Sequence, residues 1–162
     1  MRTLILSAAF GLATMGAAWA QGMTAQDFVN QAASGGLFEV QSSELALQRS
    51  QNADVQQFAN QMITDHTANN QELMATAQSA GLTVPAAISS PHAELMQGLQ
   101  GAEGGAFDTS YAQAQVTAHE TAVTLYQTYA QNGDEQALKA YAEKSLPVLQ
   151  QHLEHAQELA GK

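Results

Sequence analysis

The sequence predicts an all-α protein: a four-helix bundle with a long crossover between its second and third helices. Three observations carry this. Apolar residues recur at three- and four-residue steps through four long stretches, with no β-type alternation of any length. Alanine and glutamine are abundant while aromatic residues make up only 6% of the chain, a balance that favours helix over sheet. The connections are short, then about twenty residues long, then short again.

The chain opens with MRTLILSAAFGLATMGAAWAQG. Arg2 gives a short basic start, Leu4 to Ala18 is an almost unbroken run of apolar and small residues, and Ala18-Trp19-Ala20 supplies the small-x-small pattern of a cleavage site. This reads as a secretory signal peptide over residues 1–20, cut between Ala20 and Gln21, and so as a periplasmic or secreted protein. A membrane anchor is the competing reading, but the run falls short of the ~20 apolar residues a span needs. No second run of spanning length follows, so no membrane span is expected. The chain has no cysteine, which excludes lipid attachment through one and any disulfide. Residues 21–162 read as the bundle domain, long enough to bury a full core unaided. They carry Arg49, Lys139, Lys144 and Lys162 against fifteen acidic residues, a net charge of 4 − 15 = −11. Such a chain repels phosphate backbones and anionic lipid, which argues against nucleic acid as a partner; most of the charge reads as solubility.

The first helix is predicted from Thr24 to Ser50, with Thr24 as N-cap and Asp27 three residues on. Phe28, Ala32, Gly35, Glu39, Ser42 and Ala46 share one face. Gly35-Gly36 within it costs about 1 kcal/mol per glycine relative to alanine, and reads either as a bend or as close approach of a neighbour. After Gln51-Asn52-Ala53 the second helix runs from Asp54 to Ala80 and stops at Gly81. Its stripe is Val55, Phe58, Met62, His66, Leu73 and Ala77. The crossover holds Pro85 and a short helix from Pro91 to Leu99, capped by Ser90. The third long helix runs from Gly105 to Gln131, with Phe107, Tyr111, His119, Tyr126 and Tyr129 in its stripe. Asp134 is the expected N-cap of the fourth, which runs from Glu135 to Leu159 and bends at Pro147. Short turns make the first and second helices antiparallel, and likewise the third and fourth. An end-to-end crossover makes the second and third parallel, which is the ferritin-like arrangement.

Each long helix carries a polar residue in its apolar stripe: Glu39, His66, His119 and His152. Packing alone would not choose this, because a buried carboxylate needs a partner. Imidazole and carboxylate groups converging from several helices are how metal sites in bundle cores are built. Glu39 lies about 13 residues before the first turn, His66 about 14 after it and His119 about 14 into the third helix, so these three share one height. His152 lies about 19 residues past the second turn, which predicts an offset of roughly 9 Å. Asp65 and Glu120 adjoin the histidines but point about 100° away, toward the flanks. Asn69 and Asn70, one turn after His66, are candidates to hold its second ring nitrogen. His92, His155 and Glu154 read as exposed, and the methionines are scattered rather than grouped as thioether ligands. The competing reading is a structural polar network. No phosphate loop, nucleophile elbow, basic patch or other catalytic motif is found.

FVNQAASGGLFEVQSSELALQRSQNADVQQFANQMITDHTANNQEL, FDTSYAQAQVTAHETAVTLYQ and LPVLQQHLEHAQEL closely resemble the domain of unknown function 4142 family, exported bacterial proteins grouped with the ferritin-like bundles. The resemblance covers nearly the whole mature chain. It rests on Glu39 in GGLFEV, on Asp65-His66, on the run ending at His119, and on Pro147 with His152 in LPVLQQH. It implies the fold and export, and no particular activity. Di-iron ferritins use Glu-x-x-His on two helices, whereas here Ile63 and Leu149 stand three residues before His66 and His152. The expectation is therefore one divalent transition-metal ion, zinc, iron, copper or nickel, on Glu39, His66, His119 and His152. The leading function is metal handling or stress defence in the envelope. The alternative is a non-catalytic helical envelope protein whose polar core sets helix register and whose surface binds a protein partner. A metal-dependent oxidase or peroxidase is a third reading.

Overall fold

The computed structural model describes residues 22–161; the expected signal peptide lies outside the described residues. Helix α1 spans Ala25–Arg49, α2 Ala53–Ser79, α3 Ser90–Gly101, α4 Gly104–Asn132 and α5 Gln136–Ala160. The four long helices form the bundle, and α3 is the short helix of the crossover. Among the described residues no helix is long and apolar enough to cross a membrane.

The helix ends follow local hydrogen bonding. Thr24 Oγ1 accepts from the Asp27 amide, and Asn52 Oδ1 accepts from the Asp54 amide. Gly81, just past α2, takes φ +73°, the left-handed conformation that glycine adopts freely. Two caps differ from expectation. The N-cap of α3 is Ser89 rather than Ser90, and its hydroxyl is hydrogen-bonded to Ser34 across the bundle. The N-cap of α5 is Glu135 rather than Asp134: Asp134 accepts from the Tyr129 hydroxyl, while the Glu135 carboxylate accepts from the Leu138 amide at 2.8 Å. Helix α5 continues through Pro147.

Side-chain pairs fix the topology. Asp65–His152, Asn69–Ser145 and Glu72–Lys144 run antiparallel along α2 and α5. Phe58–Tyr111, His66–His119 and Asn69–Tyr126 run in the same direction along α2 and α4. The crossover therefore joins parallel helices, as predicted. One glycine of the pair in α1 also resolves: a Cβ on Gly36 would lie 1.8 Å from Asn70 Oδ1, so this glycine admits α2 at close range.

Two apolar clusters fill the bundle. One, toward the start of α1, holds Phe28, Leu73, Tyr126, Tyr129, Leu138 and Tyr141. The other, toward its end, holds Phe38, Phe58, Met62, Leu99, Phe107 and Tyr111. Between them lies a belt of buried polar residues: Glu39, His66, Gln115, His119 and His152. Helix α3 is anchored across α1 and α4 by Arg49, whose guanidinium donates to the carbonyls of Leu99, Gln100 and Ala102 and lies over the Phe107 ring. These carbonyls close a helix that has no basic residue of its own in its last turn. Arg49→Ala is expected to destabilise the protein by about 1–2 kcal/mol, read from the urea midpoint.

Candidate metal centre

His66, His119 and His152 come from α2, α4 and α5, three helices whose apolar stripes turn the same faces inward. Each stands between an apolar residue of one core cluster and one of the other, so the helices have no freedom to turn it outward. Their ring centroids form a near-equilateral triangle with sides of 5.3, 5.5 and 5.5 Å. One ring nitrogen from each lies within 4.8 Å of the other two. Two nitrogens bound to one ion at about 2 Å can be no more than about 4 Å apart, so side-chain shifts of about an ångström close the group.

His152 is therefore level with the others, and the offset of roughly 9 Å expected from residue counting does not hold. The reason is the lean of helical side chains toward their own N-terminus. His119 leans away from the α4–α5 turn and His152 leans toward it, so rings whose Cα atoms are offset along the axis converge.

Two of the three ring orientations have a visible cause. His119 Nδ1 donates to the Gln115 backbone carbonyl, one turn earlier, at 3.0 Å. Its Nε2 is buried and has no hydrogen-bond partner. His152 Nε2 donates to Asp65 Oδ2 at 3.0 Å, leaving Nδ1 buried and unpartnered. His66 Nε2 is likewise buried without a partner. In His119 and His152 one nitrogen is protonated and held while the other presents a lone pair, and this is the outer arrangement that metal-binding histidines use. Burial lowers the pKa of all three: that of His119 falls to about 4, and His66 is lowered further by its two neighbours. All three imidazoles are neutral near pH 7.

Glu39 sits beside this group rather than in it. Its Oε1 lies 3.6 Å from His119 Nδ1, the nitrogen already committed to Gln115. The residue is 3% exposed and its Oε2 has no partner. Burial pushes the carboxyl up from 4.5 to about 8, with the Gln115 side chain pulling it partly back. Asn69 and Asn70 do not hold His66. Asn69 bonds Ser145 and the Tyr141 hydroxyl, and Asn70 lies against Gly36. His92 is half-buried rather than exposed, stacked on Phe38 with Nδ1 2.7 Å from the Ser34 hydroxyl. Asp65, placed on the flank by its angle relative to His66 as a residue either behind the histidines or in solvent, is the partner of His152 on the neighbouring helix.

A comparison within the core sharpens the chemistry. One to three turns along the helices from the histidines, Tyr126, Tyr141, Asn69 and Ser145 form a bonded network. The histidines lack such bonds at three ring nitrogens. A purely structural polar cluster satisfies its buried atoms; this one leaves three ring nitrogens unsatisfied on neighbouring imidazoles.

The profile of the domain of unknown function family DUF4142 matches residues 12–159. The chain belongs to that family. No curated protein matches its sequence. Among solved structures, the DUF4142 chain is similar to CopM in its Cu(II)-bound form, with a TM-score of 0.71 and 16% identity over 87% of this chain and 98% of that one. CopM in the Cu(I)-bound form gives 0.68 and 14% identity over 83% and 94%. A DUF305 fragment from Deinococcus radiodurans gives 0.67 and 17% identity over 87% and 99%. At these identities the likeness establishes the helical-bundle fold.

Proposed function

We propose that this DUF4142 protein is exported and binds one transition-metal ion on His66, His119 and His152, as part of metal handling in the cell envelope. The observation that carries the reading is the convergence of three buried, unpartnered imidazole nitrogens. A neutral three-imidazole set suits copper, zinc, nickel and iron. Copper comes first, because the solved forms of the similarly folded CopM include Cu(II)-, Cu(I)- and silver-bound ones beside an apo form. Glu39, expected as a ligand, serves instead as the charge partner of His119, offsetting the positive charge that the ring gains on binding a cation. Asp65 holds His152 with Nδ1 turned inward.

The test is titration of the mature chain, purified without a histidine tag, with Cu(I), Cu(II), Ag(I) and Zn(II). Saturation at one ion per chain, with a rise in melting temperature, is the expected result. Absence of saturable binding for all four ions would sink the reading. Asp65→Asn should weaken binding by about tenfold, as loss of an outer partner does. Because the Asp65 carboxylate is 38% exposed, the metal-free protein should melt at nearly the same temperature as wild type.

A further inference from the structure

A second feature meets the histidine cluster from another side. A cavity of about 400 Å³ opens between α1, α3 and α4. Its rim includes the exposed residues Gln31, Glu94 and Thr117, and its buried lining includes Glu39 and His66. Ala32, Ala118, Leu125 and Leu149 make the lining largely apolar. A polar groove along α2 and α5, containing Asp65, Glu72 and Lys144, reaches His66 and His152.

Three observations define what the cavity accepts. No lysine or arginine lines it, whereas Glu39 and Glu94 do, in a chain of net charge −10. Burial also holds His92, another lining residue, below the ordinary imidazole pKa. Anions therefore find no counter-charge there. Next, Glu39 Oε2 is a buried oxygen with no hydrogen-bond partner, as is His66 Nε2, the nitrogen assigned above to the metal ion; a largely apolar site with such a carboxyl oxygen selects a ligand that supplies the bond. A hydroxyl both donates and accepts, so it satisfies a carboxyl oxygen in either protonation state. Finally, Gly35 is not explained by helix contact. A Cβ there would meet nothing nearer than the His92 ring at 3.7 Å, yet glycine in a helix costs about 1 kcal/mol. Its missing side chain leaves the room in the cavity.

We propose that this cavity binds a small, neutral, mainly apolar molecule bearing a hydroxyl group, with the hydroxyl at Glu39 and the apolar body against Leu125 and Leu149. The inference goes beyond the metal reading and does not depend on it. The probe is 2-naphthol, followed by its fluorescence on the metal-free mature chain, with 2-methylnaphthalene as the analogue that lacks the hydroxyl. One-site saturation is expected, with 2-naphthol at least about tenfold tighter than the analogue. Glu39→Leu should abolish that preference. Ala122→Phe, which places a ring in the cavity wall, should weaken 2-naphthol at least tenfold while keeping the wild-type circular dichroism. Gly35→Leu, whose Cβ makes only ordinary contacts, blocks the same space if the first variant does not fold. No saturable binding, no preference for the hydroxyl, or unaltered affinity in the folded blocking variant would overturn the proposal. Copper titration of the same samples reports the metal site separately, so either reading can fail alone.

Discussion

Replacing His119 with alanine is expected to weaken transition-metal binding by at least about a hundredfold while the bundle stays folded. His119 Nε2 is one of three nitrogens converging on the proposed ion, and without it two neutral imidazoles remain. Loss of an outer partner already costs 10- to 100-fold at a metal site, and a direct ligand contributes more. The effect on folding should be modest by contrast. The deleted ring makes a hydrogen bond to a carbonyl of its own helix, and its other nitrogen has no partner to abandon. What remains is a cavity the size of an imidazole, costing about 2–3 kcal/mol. In thermal melts the wild type should gain stability on adding copper, and His119→Ala should not. A variant that matches wild-type affinity would remove His119 from the site. The binding should also tolerate mild acid. The folded-state pKa of His119 is depressed to about 4 and those of His66 and His152 are lowered too, so protons compete with the ion well below the ordinary imidazole value of 6.5.

The helices were legible because their apolar stripes are regular and their breaks fall at Gly81, Gly133 and the proline-containing crossover. The inward set of Glu39, His66, His119 and His152 was legible for the same reason: a residue in the stripe of a bundle helix is buried whatever its chemistry. The roles within that set were not. Counting along helix axes placed His152 too far away because it ignores the opposite lean of side chains on antiparallel helices. Glu39 met the ring nitrogen that Gln115 already holds, and no spacing rule reveals which nitrogen of an imidazole is spent. Asn69 had partners in Ser145 and Tyr141, which outcompeted His66 for it. His92 and the cavity beside it depend on how the crossover lays α3 over α1, a placement fixed by Arg49 and Ser34 rather than by any periodicity.

Glu39→Gln should act in opposite directions on the metal-free protein and on its metal site. The carboxyl, raised to about 8 by burial, keeps its proton in the folded chain to that pH, whereas in the unfolded chain it ionises near 4.5. Its contribution is therefore fully present below pH 4.5 and is lost as the pH rises toward 8. Glutamine cannot ionise, so the variant should escape this loss. The gain at pH 7 is on the order of 2 kcal/mol, after allowing for the extra amide hydrogens that need partners. The three histidines give the other limb. Their depressed folded-state pKa values make both proteins lose stability as the pH falls from 6.5 toward 4. Melts across pH 4–9 should show wild type declining on both sides and Glu39→Gln declining only toward acid. With an ion bound, the charge preference of position 39 reverses, because an anion now faces a cation-bearing imidazole 3.6 Å away. Copper binding at pH 7 should then release a proton from wild type, detected calorimetrically as a dependence on buffer ionisation enthalpy. Glu39→Gln should release none and bind about tenfold more weakly. A residue present only to hold helix register would lose stability on this substitution and leave proton release unchanged.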